Sequence, residues 1–147
     1  MDRAGAPLEG TRAIGRMGAD GPWIGFGYRA GACHLVVGDV DGMRDVPADR
    51  ELVLALAIAH FAEAFDEAPP DIEATQSDLS ALVRRVMGAE ADPRLRAALG
   101  EAMDAIDDGL AGDAVAEKLA AARSPATASV DPVELLLAQA RPLVERG

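Results

Sequence analysis

The chain has 147 residues, half of them hydrophobic, with 25 acidic against 14 basic side chains and a formal net charge of −11. That composition belongs to a chain that folds around a core, and a chain this long buries roughly two thirds of its unfolded surface without a metal or disulfide staple. The acid excess argues against direct contact with nucleic acid or an anionic membrane surface, since both need a basic face, and the single cysteine, Cys33, excludes an intramolecular disulfide.

Residues 1–10 mix Gly, Pro and charge and read as a flexible N-terminal tail, with no apolar stretch of the kind a secretory leader carries. The longest apolar run, Leu52 to Ala59, is far short of the roughly 20 residues a membrane span requires. With one cysteine and no leader, the expected location is the cytoplasm.

From Thr11 to Gly38 the glycine-punctuated pattern predicts short strands. Alternation places Ile24, Phe26 and Tyr28 on one face of an extended segment and Trp23, Gly25 and Gly27 on the other. Arg29-Ala30-Gly31 suits a turn, and Ala32–Val37 follows as a second strand, with Cys33, Leu35 and Val37 on the face opposite to His34 and Val36. Two strands alone are marginal, so a third partner is expected near Ala13–Met17.

After Asp39-Val40-Asp41-Gly42 the pattern turns helical, with Pro47 assigned to a first helical turn. Leu52–Phe65 is apolar nearly all round, which predicts a buried central helix ended by Pro69-Pro70. Leu79, Leu82, Val83, Val86 and Met87 form the inner stripe of the next helix, capped by Asp71 or Thr75 and closed by Gly88. Asp92-Pro93 opens another, with Leu95, Leu99, Met103, Ile106 and Leu110 inside. Gly109 and Gly112 leave Val115–Ala122 as either a kinked continuation or a separate helix. Ser124–Val130 is a small-residue linker, and Asp131-Pro132-Val133-Glu134 combines an N-cap Asp, a Pro at the first helical position and a Glu two residues on. The expected architecture is α+β: two to three antiparallel strands, then four to five helices, without the alternation of a doubly wound sheet. It comprises the tail, a single domain over 11–123, and a linker plus amphipathic helix over 124–147 packed on the same domain.

Chemistry-bearing residues are few. Asp39, Asp41 and Asp45 gather at a strand end, where carboxylates suit a hard cation such as Mg²⁺ or Mn²⁺, although the glycine spacing is not that of an EF-hand. The string Leu35-Val36-Val37-Gly38-Asp39-Val40-Asp41-Gly42 resembles the strand-turn motif of bacterial metal-dependent serine/threonine protein phosphatases, in which an Asp and a Gly carbonyl help bind a metal pair. The resemblance spans eight residues, the upstream Asp of that family is missing around Gly25–Gly27, and residues 70–147 read as helices where that fold continues with strands.

Gly25-Phe26-Gly27-Tyr28-Arg29-Ala30-Gly31 lacks the following helix that a dinucleotide-binding loop needs. Cys33 and His34 fall on opposite strand faces, Cys33 reads as a small buried hydrophobe and His60 as a structural histidine. Glu101, Asp104, Asp107 and Asp108 form an acidic stripe, either a solvated face or a docking surface for a basic partner.

The function expected from this pattern is a non-catalytic protein–protein interaction module, a small acidic regulatory, adaptor or accessory subunit with no resident cofactor. Its partner-binding residues would be Glu101, Asp104, Asp107, Asp108, Leu136, Leu137 and Leu143. The rivals are a Mg- or Mn-dependent, phosphatase-like or degenerate hydrolase domain centred on Asp39 and Asp41, and an acidic inhibitor of a nucleic-acid-binding protein. The sequence leaves self-association open.

Overall fold

The computed structural model describes residues 9–16, 22–29, 32–39, 42–65, 71–123 and 129–145, and in these residues four antiparallel strands precede five helices. Strands β1 (Glu9–Arg16), β2 (Trp23–Arg29), β3 (Ala32–Asp39) and β4 (Gly42–Pro47) form a meander in the order β1-β2-β3-β4. The α+β class follows from the sequence as expected, with one strand more.

The extra strand is β4. The Pro47 assigned above to a helix ends β4 instead, opposite His34, and α1 (Arg50–Phe61) starts three residues later behind the N-cap Asp49. Proline is tolerated there because β4 is an edge strand, where a missing N–H interrupts no ladder. The first strand also reaches further than expected, to Glu9, while residues 1–8 lie outside the described residues.

Register explains how one side of the sheet builds the core. Phe26 pairs with Leu35 and Ile24 with Val37, and Leu35 in turn pairs with Val46, so one row of branched and aromatic side chains runs across three strands. Ile24, Phe26, Leu35 and Val37 are all essentially inaccessible. On β1 the register slips between Ala13 and Gly15, and Ile14 joins the same core. Gly15 is required by its neighbour: a Cβ added there would lie 2.4 Å from Cβ of Phe65.

Helix α1 is the hub. Every residue from Leu52 to Phe61 is buried, which fits its unbroken apolar sequence, and α4, α5 and α2 pack around it. Helix α2 (Ile72–Ala89) is capped by Asp71, whose side chain accepts from the Ala74 N–H at 3.0 Å, and it turns Leu79, Leu82 and Val83 inward. Gly88 does not close it; the helix runs through Ala89 to Glu90. Helix α3 (Pro93–Asp107) is capped by Asp92 and packs on α2 and α4. Gly109, at φ 71°, separates it from α4 (Gly112–Ala121), so the segment over 112–121 is a distinct helix. The start of α4 approaches α1 so closely that a Cβ on Gly112 would sit 2.2 Å from the Phe61 carbonyl oxygen.

Helix α5 (Pro132–Glu145) begins behind Asp131, which accepts from the Val133 N–H at 2.8 Å, and it carries Pro142 within its last turns. It packs on α1 and touches β3 and β4. Arg123, after α4, is 4% exposed and donates through Nη1 to the Val130 carbonyl at 2.5 Å, linking the end of α4 to the approach of α5. Among the described residues its Nε and Nη2 have no hydrogen-bond partner, which carries a desolvation cost.

Candidate functional site

The 39–45 turn is only partly described. Asp41 lies outside the described residues, as does the side chain of Asp39, whose backbone pairs with Gly42 across the β3–β4 hairpin. Asp45 is placed on β4 beside Val36 and meets His34 diagonally across the strands, with His34 Nδ1 2.6 Å from Asp45 Oδ2. The ladder puts Asp45 in the row of His34 and Val36. Among the described residues no group of three or more His, Cys, Asp or Glu side chains is arranged to hold a metal ion.

The acidic stripe is fully described. Glu101, Asp104, Asp107 and Asp108 are exposed, while Leu99, Ala102, Met103 and Ala105 of the same helix are buried. Asp104 lies three residues from Glu101 and Asp107 and four from Asp108, the spacing at which helix side chains are neighbours, so like charges face one another. Three of them also occupy the C-terminal end of α3, where the helix dipole is already negative, and no basic residue stands in the last turn. Helix α4 extends the patch: Asp113 and Glu117 are exposed, and Lys118 reaches Glu101 at 3.8 Å across a shallow cleft of about 220 Å³ between the two helices. Among the described residues no cation is paired with Asp104, Asp107 or Asp108.

The apolar part of the expected partner surface is used internally. Leu136 is fully buried and Leu143 nearly so, both within the chain's own core, and Leu137 is half-buried. Leu136 and Leu143 are therefore not available to a partner in this conformation, because α5 uses that stripe to pack on α1.

Two arrangements carry no local signature in the sequence. One is the junction around Arg50, the first residue of α1. Its Nε donates to Glu90 Oε1 at 2.5 Å, its Nη1 to Glu51, and its Nη2 to the Ala122 carbonyl at 2.5 Å. The start of α1, the end of α2 and the end of α4 thus meet on one guanidinium. Glu90 also accepts from the Asp92 N–H at 2.9 Å; that bond and Arg50 hold its carboxyl below the usual range.

The other is a cavity of about 510 Å³ beside that junction. The start of β3 (Ala32, Cys33), the approach and first turns of α1 (Ala48, Asp49, Arg50, Val53), the last turns of α2 (Leu82, Arg85, Val86, Ala89) and Glu90–Ala91 line it, and it is open to solvent. Burial pushes the Cys33 thiol up to about 11, so it stays protonated near neutrality. Arg85 lies over the ring of Tyr28 at 5.1 Å, and Tyr28 is the cross-strand partner of Cys33. Burial raises the Tyr28 phenol, against the effect of its hydrogen bond with Arg85. His60, away from this cavity, is buried in α1 with its ring edge-on to Phe61 at 5.1 Å, and desolvation lowers its pKa.

Comparison with family models, with curated proteins and with solved structures finds no match. The functional reading rests on the geometry above. Among the described residues no helix is long and apolar enough to cross a membrane.

Proposed function

We propose that this chain is a non-catalytic interaction module, a small acidic regulatory or accessory subunit that offers the outer face of α3 and α4 to a basic surface on another protein. The observation that carries the reading is the placement of Asp104, Asp107 and Asp108. They crowd one another and oppose the dipole of their own helix, an arrangement that costs helix stability and brings no cationic partner among the described residues in return. Other acids in the chain have structural work: Asp49, Asp71, Asp92 and Asp131 each cap a helix N-terminus, where a carboxylate is stabilising. The α3 stripe has no such role, and a cationic partner would relieve its repulsion while the acidic field speeds encounter.

The test is capture by the intact tagged chain against a variant carrying Glu101→Gln, Asp104→Asn, Asp107→Asn and Asp108→Asn. A stoichiometric partner held by the parent at low salt, released at moderate salt and not held by the variant supports the reading. A partner held equally by both would remove the stripe from the interface.

A further inference from the structure

We propose that the cavity between the start of β3, the first turns of α1 and the end of α2 binds a small, uncharged molecule with an apolar body, of the size and polarity of a medium-chain alcohol. The volume, about 510 Å³, lies within the usual range of small-molecule pockets. Val53 and Leu82, both buried, line it from the core side, and Val86 lies half-buried beside them. Ala32, Ala48, Ala89 and Ala91 take the other apolar positions, where longer side chains would fill the space. An alkyl body in the cavity would remove the accessible parts of Val86 and Ala89 from water.

The charged side chains on the lining are already engaged within the chain. Arg50 donates through Nε to Glu90, through Nη1 to Glu51 and through Nη2 to the Ala122 carbonyl. Asp49 accepts from the Leu52 N–H, and Glu90 accepts from the Asp92 N–H as well. Arg85 is hydrogen-bonded to Tyr28 and lies over its ring at 5.1 Å. Arg50 and Arg85 stand against Asp49 and Glu90, so the lining carries no net charge. The Cys33 thiol, pushed up to about 11 by burial, stays protonated and adds none. A charged ligand head would lose hydration here without meeting an unmatched countercharge, whereas a neutral one forgoes little. Nor is there an open strand edge for a peptide to extend. The start of β3 pairs with β2 on one side, and on the other the Cys33 carbonyl accepts from the Ala48 N–H at 2.9 Å. The proposal is independent of the acidic α3–α4 face, because neither helix contributes to the cavity lining.

Octanol serves as the probe, with hexanol as a shorter neutral chain and octanoate and octylammonium as charged controls of the same tail. Binding is measured by calorimetry on the intact chain, and location by the rate at which iodoacetamide alkylates Cys33 at mildly alkaline pH. Octanol is expected to bind and to slow alkylation at least fivefold, and affinity is expected to rise about threefold for each methylene from hexanol to octanol. Both charged probes should bind at least tenfold more weakly than octanol. Ala89→Trp, at an exposed position lining the cavity, is expected to abolish octanol binding while its melting temperature shows that the chain still folds; Ala91→Trp, beyond the end of α2, serves as a second blocking variant. No heat with octanol up to its solubility limit would mean that the cavity is not a ligand site. Octanol binding with unchanged Cys33 alkylation, or unchanged in both folded tryptophan variants, would place the ligand elsewhere. Octanoate or octylammonium binding as tightly as octanol would overturn the neutral class, and equal affinity for hexanol and octanol would overturn the apolar one.

Discussion

Helix α1 and the C-terminal half of α3 use the same physics to opposite ends. In α1, ten consecutive residues are buried, the N-cap Asp49 stands at the positive pole of the helix, and the only polar side chain among the ten, His60, is held neutral by desolvation. In α3, one side is buried and the other carries carboxylates at the negative pole of the helix, repelling one another. Local electrostatics favours the first helix and opposes the second. The lesson is that α1 is optimised for holding the fold, whereas the outer side of α3 is not, and a surface left in that state is where an external function is most economically sought.

The largest effect that separates the two regions is expected at Gly112. Its Gly112→Ala variant drives a Cβ into the Phe61 carbonyl, a backbone atom that has no rotamer to yield, and should cost about 3 kcal/mol, the upper end for overpacking. Urea unfolding at constant m measures it. Second is Arg50→Met, which leaves Glu90 and the Ala122 carbonyl without the guanidinium that joins α1, α2 and α4. A loss of about 2 kcal/mol is expected, since the group is partly exposed and its ion pairs are partly screened.

A third test concerns pH. His60 has its pKa lowered in the folded state, so the unfolded chain binds a proton more readily. Stability associated with His60 is therefore complete above the unfolded value of about 6.5 and declines as pH falls below it toward the lowered folded value. The Tm difference between pH 7 and pH 5 should shrink in His60→Gln. The smallest effect runs in the opposite direction: Asp107→Asn with Asp108→Asn is expected to stabilise the chain by a few tenths of a kcal/mol, by removing like charges from a helix C-terminus. A destabilised variant would mean that these acids serve the fold after all.

Much of the architecture was legible because it rests on local signals. The alternation of Ile24, Phe26, Leu35 and Val37, the apolar run of α1 and the Asp-Pro helix starts at 92–93 and 131–132 each name their element without help from distant residues. Strand β4 was not legible because Met43-Arg44-Asp45-Val46-Pro47 has little strand propensity of its own; pairing to β3 supplies what the sequence lacks. The acidic stripe of α3 could be read from spacing alone, but its position against the helix dipole required the helix boundary at Asp107. The Arg50 junction and the cavity could not be read at all. Arg50 meets residues 40 and 72 positions away, and the cavity draws on separate chain segments around 32–33, 48–53 and 82–91. The apolar stripe of α5 was visible as a stripe, yet whether it served this core or a partner was decided only by its packing on α1.

The central claim, that the outer face of α3 serves binding and not folding, is tested most directly by measuring both properties on one variant. The chain with Glu101→Gln, Asp104→Asn, Asp107→Asn and Asp108→Asn should melt at or above the temperature of the parent while failing to hold the salt-sensitive partner that the parent captures. A variant that melts lower and still holds that partner would contradict the account.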